Sequence, residues 1–124
     1  MGCDGPVSFL VDTGADCTVL MPTDAAKLGV DFTKLTVTEE SLGFGGIHVD
    51  YLLPAIVMVA DNDEHDGTAY GWKIDLRIAA PKPELMSIPS VLGRDVLQHW
   101  CLTLDKSKGL LEAEVRHSDA KSKL

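Results

Sequence analysis

An aspartate directly follows an apolar, β-prone stretch and opens a short turn before a second such stretch, near the start of this chain of 124 residues. Residues 7–11 predict a strand, residues 12–16 include the glycine that a tight turn favours, and residues 17–21 predict a second strand. An acid placed directly after an apolar strand lies at the edge of a core, where partial loss of hydration disfavours its charged form. The sequence therefore predicts a strand–turn–strand unit that holds Asp12 rigidly in a partly dehydrated position at the edge of the core.

The rest of the chain alternates short β-prone runs with Gly, Pro and Asp, which is typical of a mainly β domain. Further strands are predicted at residues 35–38, 47–60, 70–79, 85–92 (interrupted at Pro89), 102–105 and 110–115. One short helix is predicted at residues 22–28, with Thr23 or Asp24 as its cap and Gly29 after its end, and another at residues 93–100. We expect one domain over residues 1–116 and a flexible tail over residues 117–124.

The amino-acid composition limits the kinds of molecule that this protein is expected to bind. The net charge is −8, and an acidic surface repels phosphate backbones, so we expect no nucleic-acid partner. No apolar run approaches the roughly 18–20 residues that span a bilayer, so we expect no membrane partner. The three cysteines and four histidines are dispersed, so we expect neither a metal ion nor another cofactor. Free thiols and the lack of a secretion signal predict a cytoplasmic protein.

Three segments of the chain share a resemblance to one family. The sequence Leu-Val-Asp-Thr-Gly-Ala-Asp-Cys-Thr-Val-Leu at residues 10–20 resembles the active-site stretch of retropepsins, a family of aspartic proteases. The sequence Val-Leu-Gly-Arg-Asp-Val-Leu at residues 91–97 resembles the second signature of that family, and the glycine-rich residues 43–47 resemble its flap. The three segments occur in the family's order. The resemblance implies an all-β fold, a retropepsin-like closed or mixed β-barrel with a glycine-rich flap hairpin and one or two short helices.

The resemblance also implies roles for individual residues. The catalytic loop would consist of Asp12, Thr13 and Gly14. The residues implied to contact substrate are Ala15, Asp16, Gly43, Phe44, Gly45, Gly46, Ile47, Val91 and Leu92. A structural ion pair would join Asp16 to Arg94, at a cost of about 3–5 kcal/mol when the arginine is removed from a deeply buried pair.

The chain contains one Asp-Thr-Gly and no second Asp-Thr-Gly or Asp-Ser-Gly. Two facing carboxylates share one proton, so that one activates water while the other protonates the scissile carbonyl. A second copy of the chain, related by a two-fold axis, would supply the second acid. The sequence thus predicts a homodimeric aspartic endopeptidase that acts on polypeptides. Because few residues precede the first strand, we expect residues 110–115 to carry part of the dimer contact.

Each segment also has a simpler interpretation. An Asp-Thr-Gly can be a hydrogen-bonded turn alone, and a glycine-rich tip can be a flexible hairpin end. Asp16 and Arg94 can be separate surface charges, and Asp95 can cap a short helix. The alternative function is a non-catalytic, retropepsin-like peptide-binding or scaffold domain that captures an extended peptide by strand addition. The intact Asp-Thr-Gly favours the enzyme.

Overall fold

The two longest β-prone stretches of the sequence pair with each other at the centre of the molecule. The computed structural model describes residues 4–43, 46–60 and 67–123. Its strands are β1 (Leu10–Val11), β2 (Val19–Leu20), β3 (Thr38–Gly43), β4 (Gly46–Ala60), β5 (Thr68–Ala79), β6 (Val91–Leu92), β7 (Trp100–Asp105), β8 (Leu110–Val115) and β9 (Ala120–Lys123). Its helices are α1 (Pro22–Lys27) and α2 (Arg94–Leu97). The mainly β architecture with two short helices is therefore confirmed. No helix in the described ranges is long and apolar enough to cross a bilayer.

Seven strands form one sheet, in the order β1-β6-β2-β5-β4-β3, with β9 added on β5. Strand β6 lies between the first two strands, parallel to β1 and antiparallel to β2. This insertion brings the second signature segment beside the turn that carries Asp12. Within the described residues no pairing joins β3 to β1, so the closed barrel that the resemblance implied is not found.

The core follows from the alternation along β5. Trp72 and Ile78 have no exposed surface, whereas Lys73 and Asp75 are exposed on the opposite face. Side chains alternate between the two faces of a strand, so this pattern is the one predicted for a half-buried strand. Trp72 packs with residues of β6 and α2, and Ile78 packs in a second cluster that includes α1. Both clusters include residues from the buried face of β5.

Helix α1 lies where the sequence predicts it, but its N-cap differs from the prediction. Its N-cap is Met21, without a side-chain hydrogen bond, so the prediction that Thr23 or Asp24 caps it is wrong. Ser90 explains the difference for the aspartate, because the Ser90 hydroxyl donates to Asp24 Oδ2 at 2.6 Å. Gly29 follows the helix with φ of +77°, which is the left-handed conformation that favours glycine after a helix end.

The strand predicted at residues 85–92 is mostly absent. A 3₁₀ turn occupies Pro83–Leu85, and β-structure is confined to Val91–Leu92. Proline lacks a backbone donor and restricts the residue before it, which explains why a ladder does not extend through this proline-containing segment.

The C-terminal region contains a hairpin and one further strand. Strands β7 and β8 pair as the predicted hairpin, in a two-stranded sheet of their own. Residues 117–124, for which the sequence predicts a flexible tail, include β9, which pairs with Thr68–Gly71 at the start of β5. The Asp119 carboxylate accepts a hydrogen bond from the Lys73 backbone N–H at 2.8 Å and orients the chain entering this strand. That hydrogen bond is the largest of the causes that hold the pKa of Asp119 below its ordinary value.

Candidate active site

The turn that carries Asp12 is closed by hydrogen bonds on three sides. The Asp12 backbone N–H donates to the Leu92 carbonyl at 3.1 Å, and the Ala15 N–H donates to the Asp12 carbonyl at 3.1 Å. The Gly14 N–H donates to Asp12 Oδ1 at 2.9 Å. Asp12 is half-buried, and Thr13 is exposed. The carboxylate is thus oriented by its own turn and by β6, while one side stays open for a reactant.

A buried threonine joins the turn to the second signature segment. Thr18 has no exposed surface. Its hydroxyl donates to Asp95 Oδ1 at 2.7 Å, and its backbone N–H donates to Asp95 Oδ2 at 3.0 Å. The same hydroxyl accepts a hydrogen bond from the Gly93 N–H at 3.1 Å. Hydrogen bonds to a carboxylate are about twice as strong as neutral ones, so this contact fixes the end of the turn against the start of α2.

Sequence analysis missed this role of Thr18 and treated Asp95 as a possible helix cap. Asp95 does accept from a helix N–H, that of Val96 at 2.9 Å, but the residue at the N-cap is Gly93. The sequence offered one signal: Thr18 lies in the first signature segment and Asp95 lies in the second. Their partnership spans 77 positions along the chain, so no local pattern indicates it.

Backbone contacts bring the two signature segments still closer. The Arg94 N–H donates to the Ala15 carbonyl at 2.8 Å, and the Asp95 N–H donates to the Asp16 carbonyl at 3.2 Å. A Cβ atom on Gly93 would lie 2.4 Å from the carbonyl carbon of Cys17 and 2.5 Å from its oxygen. Glycine is therefore required at position 93 by the close approach of two backbones.

Arg94 and Asp16 are joined by an ion pair between Nη2 and Oδ1. The side chains are 55% and 81% exposed, so the pair lies at the surface of the single chain. Exposed pairs are screened by solvent, and the large energetic cost expected for a deeply buried pair does not apply to the separate protomer.

Replacing Arg94 with alanine should lower the free energy of unfolding of the dilute protomer by no more than about 1 kcal/mol. Urea denaturation of the wild type and of Arg94→Ala, at a concentration where both are monomeric, measures this effect. A loss above about 3 kcal/mol would contradict the exposed geometry and point to a buried pair.

The remaining residues predicted to contact substrate fall into two groups. Ala15, Val91 and Leu92 surround the Asp12 turn, with Leu92 in the core and the other two half-buried. Gly43 pairs with Gly46 at the end of the β3–β4 hairpin, and Ile47 pairs with Leu42 next to them. The predicted tip residues Phe44 and Gly45 lie outside the described residues. Ala15 and Leu92 each share a backbone hydrogen bond with Asp12, and Val91 pairs with Leu10 and Val19. The second group lies at the hairpin end.

Among the described residues, no group of three or more His, Cys, Asp or Glu side chains is arranged to hold a metal ion. What the arrangement does provide is one oriented, half-buried carboxylate in a chain with one Asp-Thr-Gly. Such a carboxylate can accept or donate a proton, but it cannot do both at once in a single step.

The comparisons with known proteins agree with this site. Residues 2–66, which include the Asp12 turn and Thr18, match a family described as aspartyl protease. The fold is similar to the crystal structure of a retropepsin-like aspartic protease from Rickettsia conorii, with 26% sequence identity and a TM-score of 0.54. The similarity covers 87% of this chain and 79% of that chain. The comparison with curated proteins found no match.

Proposed function

The chain belongs to the aspartyl protease family, and we propose that it is an endopeptidase that cuts polypeptides as a homodimer. The observation that carries the proposal is the orientation of Asp12 by Gly14 and Leu92 on a turn that is tied to the second signature segment. A pure scaffold would gain nothing from a half-buried acid held in this way.

In the proposed reaction Asp12 faces the partner's Asp12 across a two-fold axis. Two carboxyl groups a few ångströms apart do not both ionise easily, because their negative charges repel each other. The pair therefore shares one proton. The ionised carboxylate takes a proton from water as the water oxygen attacks the carbonyl carbon, and the protonated carboxyl donates its proton to the carbonyl oxygen. When the C–N bond breaks, the carboxyl that holds the water's proton gives it to the amine nitrogen. The other carboxylate takes a proton from a hydroxyl of the tetrahedral intermediate, which restores the shared proton.

Gly14 and Thr13 support this chemistry from the same turn. The Gly14 N–H donates to Asp12 Oδ1 and leaves Oδ2 for the shared proton and the water. In our proposal the exposed Thr13 braces the two turns against each other across the axis. The β3–β4 hairpin is assigned to the flap, and its closed Gly43–Gly46 end supports that assignment. An extended peptide would add beside a strand edge under this hairpin.

We assign part of the dimer contact to the β7–β8 hairpin. Leu104 and Leu111 are cross-strand partners, and they are 77% and 58% exposed. Within the described residues this hairpin forms a separate two-stranded sheet, and its Trp100, Leu102 and Val115 pack against the core. Leu104 and Leu111 continue the same face of the hairpin beyond that contact. Exposed leucines on open strand edges favour association with another chain. A second copy is the occupant that the single Asp12 requires.

Replacing Leu104 with aspartate should therefore weaken dimerisation by at least about tenfold and lower the activity in proportion, because it places a charge in an apolar contact. Sedimentation velocity over a dilution series measures the first effect, and cleavage of oxidised insulin B chain measures the second. The matched control is Thr103→Asp, which adds the same charge at the exposed neighbouring position on the opposite face of β7.

The control should dimerise and cleave as the wild type does. A Leu104→Asp protein that sediments as a dimer and cuts at the full rate would place the interface elsewhere. Wild-type protein that cleaves at the same specific rate as a monomer would contradict the shared carboxylate pair.

A further inference from the structure

Arg77, near the end of β5, is a cation that the protein covers for the most part. Its side chain is 17% exposed. Its Nη2 lies 3.0 Å from Glu39 Oε1, and its Nη1 lies 3.6 Å from Asp50 Oδ2. Burial acts to lower the pKa of Arg77, but hydrogen bonds to the Cys17 thiol and to Glu39 outweigh it and raise that pKa. The guanidinium therefore stays charged.

The partners of Arg77 belong to two different parts of the molecule. Glu39 and Asp50 face each other across β3 and β4, at the base of the hairpin. The backbone N–H of Arg77 donates to the Thr18 carbonyl at 3.3 Å. Arg77 thus adds a side-chain contact at the base of the hairpin to the backbone ladders that pair β5 with β4 and with β2, the strand that follows the Asp12 turn.

We propose that Arg77 is a positioning residue that holds the β3–β4 hairpin relative to the Asp12 turn and thereby sets the affinity for peptide substrate. The inference rests on the proposed protease function. A planar guanidinium that contacts two carboxylates fixes the orientation of both carboxylates as well as their distance from the arginine. A flexible lysine ammonium does not fix that orientation. From Glu39 to Gly43 the strand extends about 13 Å, so a small rotation at the base moves the hairpin end by a larger distance.

The turn itself does not depend on the Arg77 side chain. Thr18, Asp95 and Gly93 hold it from the opposite side through the hydrogen bonds described above. Removal of the guanidinium should therefore free the hairpin while leaving Asp12 in place. In kinetic terms KM should change and kcat should not, because the loss affects substrate binding rather than the step that breaks the bond.

The variant Arg77→Met removes the charge and the hydrogen-bonding fork at similar length. Amide hydrogen exchange of the full chain should then become at least about tenfold faster at residues 38–43 and 46–49, which lie outside the β4–β5 ladder, with residues 12–18 changed less than about twofold. The matched control is Lys73→Met, which removes an exposed cation from the same strand and should alter neither segment. Arg77→Lys keeps the charge without the fork and should fall between the wild type and Arg77→Met.

With an internally quenched peptide taken from a cleaved site of oxidised insulin B chain, Arg77→Met should raise KM about tenfold and keep kcat within about twofold, and Arg77→Lys should recover part of the loss. Unchanged exchange in the hairpin, equal acceleration in both segments, or a fall in kcat at constant KM would each overturn the inference. A wild-type protein that cuts no peptide would refute the proposed function, whereas the exchange measurement would still decide whether Arg77 holds the hairpin.

Discussion

Replacing Asp12 with asparagine should lower peptidase activity by at least about a thousandfold while the fold and the dimer persist. Asparagine has the shape of aspartate, and its side-chain oxygen can still accept the hydrogen bond from the Gly14 N–H. It can neither take a proton from water nor share one with a facing carboxylate. Cleavage of oxidised insulin B chain and circular dichroism of the same sample measure the two expectations together.

A mixing experiment tests whether the two acids come from different chains. With an about ninefold excess of Asp12→Asn protein, random pairing leaves roughly one wild-type protomer in ten with a wild-type partner, so activity per wild-type protomer should fall about tenfold. The same excess of Leu104→Asp protein should have little effect, because that variant pairs poorly. Undiminished activity in the first mixture would show that one chain suffices.

The Asp12→Asn protein also separates the enzyme from a peptide-binding module. A protease should lose cleavage but retain peptide binding, because the groove is unchanged. If the wild type binds the same peptide with equal affinity and never cuts it, the chain is a binding domain that has kept the turn without the reaction.

Replacing Gly93 with alanine should destabilise the protomer by about 3 kcal/mol or more, near the upper end for overpacked positions. The added Cβ would lie 2.4 Å and 2.5 Å from the backbone carbon and oxygen of Cys17. Backbone atoms cannot rotate away as a side chain can, so β6 or the Asp12 turn must move. A displacement of about 1 Å at the reacting groups costs on the order of a hundredfold in rate, so activity should fall as well.

Gly29→Ala is the matched control for this prediction. No atom lies within 4 Å of the new Cβ there, and the positive φ alone should cost about 1–2 kcal/mol without loss of activity. Urea denaturation of both variants and of the wild type measures the difference. A Gly93→Ala protein with wild-type stability and activity would mean that β6 and the turn do not approach each other this closely.

The local pattern of residues in the sequence was sufficient to predict several elements of the fold. Residues 68–79 alternate between the two faces of a sheet, and residues 100–115 form a hairpin around a glycine with φ of +60°. In both cases neighbouring residues carry the information, through the two-residue period of a strand and the left-handed turn that favours glycine. The same kind of information was insufficient at residues 85–92, where strand structure is confined to Val91–Leu92, after Pro89.

By itself the sequence determined the chemistry that this protein offers: one Asp-Thr-Gly turn after an apolar strand, a second signature segment downstream, and hence membership of the aspartyl protease family. The tertiary structure decided how that chemistry is held. The insertion of β6 between β1 and β2, the bond from Thr18 to Asp95 and the contacts of Arg77 with Glu39 and Asp50 join residues far apart in the chain. The energy of such contacts depends on packing and burial, which are properties of the folded chain and have no local pattern in the sequence.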